Sequence, residues 1–133
     1  MATDNFSTLF DLLPLGAYQC SPDGRLLRAN AALVRLTGYA SEAQLLEMVS
    51  DLGTQWYVEP QRRSEFMARL KADGRVSNFE SEVFHQTKQH KMWVREHAHL
   101  VRDALGAPLL YEGTIEDITS QQLAQHQDRK SVV

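Results

Sequence analysis

The apolar period of this chain changes once, at Val76, and that change constrains the fold more than any single motif. Before it, apolar residues recur at helical spacing. After it they alternate with polar ones, which sends successive side chains to opposite faces of a strand. The segments 78–86, 92–102 and 109–118 read as three strands, joined by a turn at 88–91 and a link at 103–108. Links this short make neighbouring strands antiparallel. With even-numbered loops, parity assigns the two faces. Phe79, Ser81, Val83, Val94, Glu96, Ala98, Leu100, Tyr111, Gly113 and Ile115 share one face, which must be the core side. The other carries Glu80, Glu82, Trp93, Arg95, His97, His99, Glu112, Thr114 and Glu116, with an apolar spot at Phe84, Trp93 and Ile118.

The residues ahead of this meander are sharply punctuated. Asp4 or Asn5 can cap an amphipathic helix bearing Phe6, Leu9, Phe10 and Leu13 and ended by Pro14. Ser21-Pro22-Asp23-Gly24, with proline second and glycine fourth, predicts a turn between strands at 16–20 and 25–28. Asn30 caps a helix with Leu33, Val34 and Leu36, and Gly38 stands where a helix C-terminus needs it. Ser41 and Gln44 open a second helix in the manner of a capping box. Pro60 opens a longer one with Phe66, Met67 and Leu70, stopping near Asp73 and Gly74. At 133 residues, with 43% hydrophobic and 23% charged residues, the chain predicts a single soluble domain with one modest core.

Local words give this order a family. Ser21-Pro22-Asp23-Gly24 with Arg28-Ala29-Asn30, Leu36-Thr37-Gly38-Tyr39, Met92-Trp93-Val94, Val101-Arg102-Asp103 and Gly113-Thr114-Ile115-Glu116-Asp117-Ile118-Thr119 together resemble bacterial PAS (Per-Arnt-Sim) sensor domains with a tryptophan in the penultimate strand. The turn at 88–91 departs from the Asp-Gly pair usual there. The resemblance implies an α+β fold: a five-stranded antiparallel sheet in order 2-1-5-4-3, helices over one face and an N-terminal amphipathic helix. It divides the chain into an N-terminal helix (1–13), a PAS domain (14–119) and the start of a linker helix (120–133). It also implies a sensory, non-enzymatic role in a larger signalling protein such as a histidine kinase or a diguanylate cyclase or phosphodiesterase. Asp117, Ile118 and Thr119 would form the junction to a covalently linked effector.

Candidate sites follow from the two faces. On the core face, Ser81, Ala98 and Gly113 are expected opposite one another, a row of small side chains whose space either a small ligand or a side chain such as Trp56 or Phe66 can fill. Phe79, Val94, Tyr111 and Ile115 would complete that pocket around Glu96. A buried carboxylate needs a partner: Glu96 either orients a polar ligand or, the favoured expectation, meets an internal partner such as Arg28, Arg63 or a backbone amide. On the outer face, His97 and His99 beside Glu80, Glu82 and Glu112 resemble metal ligands, although a charge-paired ladder explains them without a metal. Phe84, Trp93 and Ile118 predict a patch covered by Phe6, Leu9 and Phe10, from the same chain or from the second subunit of a homodimer.

Other classes are argued against by composition and motif. A formal charge of −3 gives no general attraction for nucleic acid, and no apolar run approaches the length of a membrane span. The single cysteine, Cys20, excludes an internal disulfide and fits a cytoplasmic setting. The Asn-Cys-Arg-Phe-Leu run of flavin photoadduct relatives is missing, and residues 60–72 hold no histidine for haem. Noncovalent flavin or a small organic acid leaves no sequence signature, so the cofactor stays open. There is no phosphate loop, nucleophile elbow or paired zinc spacing, and a Cys20–histidine nucleophilic pair would need a tertiary contact.

Overall fold

The structure is a computed structural model that describes residues 9–49, 55–86 and 90–131, the last six by backbone alone. Asp4, Asn5 and Phe6 lie outside the described residues. Within the described residues, the expected N-terminal helix corresponds to a helical turn at 9–12. Strands β1 (Gly16–Cys20) and β2 (Leu26–Ala29) follow as a hairpin. Its turn closes through the Gly24 amide donating to the Ser21 carbonyl at 2.8 Å.

Asn30 joins this hairpin to the rest of the domain. Its Oδ1 accepts from the Leu33 amide, which caps α1 (Ala31–Thr37), and from the Ala17 amide on β1. Its Nδ2 donates to the carbonyls of Phe10 and Leu15 at 2.9 and 3.0 Å. One buried amide thus satisfies a helix end, a strand and the incoming chain. Gly38 ends α1 at φ 86°, a conformation open to glycine. The Gln44 amide donates to Ser41 Oγ at the start of α2 (Glu42–Met48), while Gln44 Oε1 accepts from the Ala40 amide. α3 (Gln61–Asp73) follows Pro60 and buries Phe66 and Leu70.

The remaining strands are β3 (Arg75–Phe84), β4 (Lys91–Arg102) and β5 (Pro108–Asp117), and helix α4 (Thr119–Ser131) leaves the sheet. The five strands are antiparallel in order β2-β1-β5-β4-β3, as the resemblance implied. The expected core face is buried at Phe79, Ser81, Val83, Val94, Glu96, Ala98, Tyr111 and Ile115.

One expected row needs correction. Ser81 pairs with Val94, not Ala98, whereas Ala98 does oppose Gly113. Phe84 pairs with Lys91, so six residues separate the strands instead of two or four. An even loop of any length keeps the faces; only its exact length sets the rows. Nor does the row leave much space, because Tyr18 pairs with Gly113 and a Cβ there would stand 2.3 Å from the His97 carbonyl oxygen and 2.9 Å from the Tyr18 hydroxyl. β3 also starts at Arg75 rather than Asn78, with a bulge between Val76 and Phe79. Asn78 takes φ 54° there, which asparagine tolerates better than most residues.

The outer face is held by charge. Arg95 bridges Glu80 and Glu116, both at 3.0 Å, across three strands. On the helix side of the sheet, by contrast, Arg62 reaches from α3 to Ser81 Oγ and lies 3.8 Å over the Phe79 ring.

Asn30→Ala should destabilise the domain by about 3 kcal/mol, since it removes the cap and strands buried amides and carbonyls. Urea denaturation measures this; a loss under about 1 kcal/mol would mean that Asn30 does not join these elements.

Candidate functional site

A cavity of about 40 Å³ lies between the sheet and the helices, room for roughly three waters. β1 contributes Tyr18 and Cys20, α1 Leu33, α2 Leu45, α3 Arg63 and Phe66, and the sheet Glu96, Tyr111 and Ile115. Trp56 and Tyr57 enter from the segment before α3, which is anchored to β3 where the Phe84 amide donates to the Trp56 carbonyl and the Val58 amide to the Glu82 carbonyl.

Glu96 is the polar centre of this cavity and only 2% exposed. Its Oε1 accepts from Trp56 Nε1 at 3.0 Å and from the Tyr57 hydroxyl at 3.3 Å. Its Oε2 has only longer contacts, both 3.5 Å, with the hydroxyls of Tyr57 and Tyr18. A hydrogen bond to a charged group contributes about 1.5–3 kcal/mol when well made, against several kcal/mol for burying the charge. One good bond and three long ones leave the account short. Burial therefore raises the Glu96 carboxyl above its ordinary 4.5, and the hydrogen bonds from Trp56 and Tyr57, with the charge of Arg63 nearby, only partly oppose it. Burial, and then the charge of Glu96, push the Tyr18 and Tyr57 hydroxyls well up, so both remain donors.

The expected partners of Glu96 are corrected here. Arg28 pairs with Glu42 at 2.9 Å, and Arg63 donates to the Tyr111 hydroxyl at 3.0 Å and to the Gly24 carbonyl at 3.2 Å. Neutral indole and phenol donors hold the carboxylate instead. From sequence, Trp56 has only a space-filling role and neither Tyr18 nor Tyr57 is singled out; Arg63, expected as a partner of Glu96, borders the cavity without bonding to it. An aromatic ending in N–H or O–H just before the long helix was the available signal.

The other sequence candidates are scattered. Of the eight expected pocket residues, Glu96, Tyr111 and Ile115 border the cavity. Phe79, Ser81 and Val94 are buried without bordering it, and Ala98 and Gly113 border a separate open groove of about 360 Å³ beside Leu9 and Phe10. His97 Nδ1 accepts from the Asn78 amide, and His99 lies 3.1 Å from Glu112. Among the described residues no three metal-ligating side chains come together. Burial pushes the Cys20 thiol up to about 11, and its neighbours are Tyr111 and Arg63 rather than a histidine, so it is no nucleophile at neutral pH.

The expected outer patch also divides. Trp93 meets the junction: its carbonyl accepts from the Ile118 amide at 2.8 Å, and its amide donates to Thr119 Oγ1 at 3.0 Å. Asp117 Oδ1 accepts from the Thr119 amide, and Ile118 is buried. Phe10 instead lies under the Arg28 guanidinium at 4.9 Å, at the β2 end of the domain, and Phe84 borders the inner cavity. Phe10 also borders the groove beside Ala98 and Gly113, which neither Trp93 nor Ile118 lines.

Comparison with known proteins agrees with this architecture. A family model described as the PAS fold matches residues 10–123. No curated protein matches the chain. The PAS domain of a Colwellia psychrerythraea protein superposes with a TM-score of 0.76 at 17% identity, covering 90% of this chain and 99% of that one. A domain of a Geobacter sulfurreducens sensory box sensor histidine kinase/response regulator gives 0.69 at 20%, covering 87% and 94%. The PAS domain of a Burkholderia thailandensis LuxR-family transcriptional regulator, in complex with ethanol, gives 0.66 at 16%, covering 85% and 96%.

Because its folded pKa is raised, Glu96 favours folding most below pH 4.5 and loses that contribution as pH rises through the folded value. Glu96→Gln removes this dependence. The stability difference between variant and parent should therefore move in the variant's favour from pH 4 to pH 8, read by urea denaturation at each pH; a constant difference would refute a raised Glu96.

Proposed function

Since the chain belongs to the PAS family, whose members are sensory modules, we propose that it is the sensing and relaying segment of a larger cytoplasmic bacterial signalling protein, a histidine kinase or a diguanylate cyclase or phosphodiesterase. It takes a small ligand at the Glu96 cavity and passes the change through the junction at Asp117, Ile118 and Thr119 to a C-terminal effector.

The observation that carries this reading is the shared strand. Glu96 and Trp93 are three residues apart on β4, about 10 Å along it, and Trp93 holds both Ile118 and Thr119 through its backbone. A change at the carboxylate thus meets the root of α4 through one stiff element. Gln122 of α4 also donates to Glu80 at 3.0 Å, on the same outer ladder that Arg95 crosses.

Size limits the switch. Moving an equilibrium from 1:99 to 99:1 needs about 5.5 kcal/mol of differential affinity. A ligand of about five heavy atoms has about 7 kcal/mol in total at best. Such a ligand shifts the output in a graded way rather than fully. The ethanol complex of the Burkholderia thailandensis domain shows a ligand of comparable scale in that protein.

A second role, dimerisation, is favoured by the exposed leucines of the N-terminal turn, Leu9 at 62% and Leu12 at 73%. Light scattering should give a dimer, and Leu12→Glu should weaken it about tenfold or more, which is about 1.4 kcal/mol; a monomer at every concentration would remove this role.

For the relay, a Thr119→Ala, Asp117→Ala double variant should speed amide exchange at Ile118 and Gln122 about tenfold while β1 and β2 exchange as before, a local opening of about 1.4 kcal/mol. In the full-length protein it should uncouple output from stimulus. Unchanged exchange at the junction, with normal output, would refute the path through Trp93.

A further inference from the structure

The cavity is lined by two groups of opposite charge that are not ion-paired among the described residues. Glu96 figures in none of the ion pairs there, and neither does Arg63. The two do not bond to each other: Arg63 spends Nη1 on the Tyr111 hydroxyl and Nη2 on the Gly24 carbonyl, both neutral acceptors. A guanidinium has five N–H donors, so three remain. A carboxylate has about four acceptor sites, and Oε2 of Glu96 is reached only by two hydroxyls at 3.5 Å, beyond a good O–H···O length.

A buried charge is stabilised by an opposite charge brought against it, and here both signs border one small space. A ligand bearing one charge would satisfy one group and do nothing for the other. A ligand carrying an ammonium and a carboxylate a few bonds apart meets both. Leu33, Leu45, Phe66 and Ile115 supply apolar wall beside these charges, and Thr37, Tyr39 and Gln55 also border the space. About 40 Å³ sets the scale at a handful of heavy atoms.

We propose that the cavity recognises a small α-amino acid, of the size of glycine or alanine, with its ammonium on Glu96 Oε2 and its carboxylate on Arg63. This rests on the reading of the cavity as the sensing site. Discrimination is then built in: methylammonium lacks the partner for Arg63, acetate lacks the partner for Glu96 and is repelled by it, and a bulkier side chain meets Phe66 and Ile115.

The test uses the 133-residue chain and five probes: glycine, L-alanine, methylammonium, acetate and ethanol. Calorimetric titration and thermal unfolding are read in parallel. Glycine or alanine should bind about tenfold or more tightly than each single-charge probe and raise the Tm. Glu96→Gln should lower that affinity at least about tenfold, as should Arg63→Met, with far-UV circular dichroism confirming that each variant is folded. Should either variant fail to fold, the ranking of the five probes on the parent chain decides alone. If methylammonium, acetate or ethanol binds as well as the amino acids, the ligand class is wrong while the sensing role stands. If no probe binds, this proposal is overturned, and the relay is still judged separately by amide exchange at Ile118.

Discussion

The carboxylate of Glu96 is the interaction around which the domain is organised. Its three donors come from two places that share no secondary structure: Trp56 and Tyr57 from the segment before α3, and Tyr18 from β1. A buried charge that is not ion-paired relies on dipoles held in place, so these side chains must be fixed for the carboxylate to stay buried. That requirement reaches outwards. Trp56 and Tyr57 are fixed because their segment is hydrogen-bonded along β3, where Tyr57 bridges Val83. Tyr18 is fixed because β1 pairs with β5 in a register that lays it opposite Gly113, where a side chain would collide with β4.

Two faces of one sheet solve opposite electrostatic problems. Inside, neutral donors surround an acidic group, and the carboxyl is pushed towards its protonated form. Outside, Arg95 stands between Glu80 and Glu116 in half-exposed positions, where solvent screens the attraction and each pair contributes modestly. Register, more than stability, is what such a ladder supplies: it aligns three strands, and Gln122 extends it to α4. β4 carries both systems, with Glu96 pointing in and Arg95 pointing out. Movement of that strand is felt on both sides.

How much of this was legible depends on the range of the interaction. The Ser21–Gly24 turn, the caps Asn30 and Ser41, and the stops at Gly38 and Gly74 are local, fixed by residues within four positions, and they stand where the sequence puts them. Face assignment was legible too, because parity survives a loop of the wrong even length. The row pairing was not, since it depends on six residues between Phe84 and Lys91. The bulge at Asn78 resets the phase of β3 and lets Val76 and Phe79, three apart, both be buried. Alternation alone carries no sign of that. For the site, Glu96 could be picked out as a charge at a core position, but its partners could not. Arginine was the expected answer to a buried acid, whereas here distant aromatic side chains with polar tips donate to it. Which of them converge is decided by tertiary placement, not by spacing.

The stretch from Gly113 to Thr119 gathers these constraints into one strand end. Gly113 is required where β5 passes close to β4, and Ile115 opposite Glu96 borders the cavity. Asp117 then turns the chain by accepting from the Thr119 amide, so Thr119 Oγ1 is directed to the Trp93 amide on β4 instead of to its own helix. The first turn of α4 is consequently tied to the sheet at two points of β4 and one of β3, through Trp93 and Glu80. A helix beginning with so few buried residues of its own takes its orientation from those ties. Glu96 and Ile115, paired across β4 and β5, therefore lie on the same two strands whose ends set the direction of that helix.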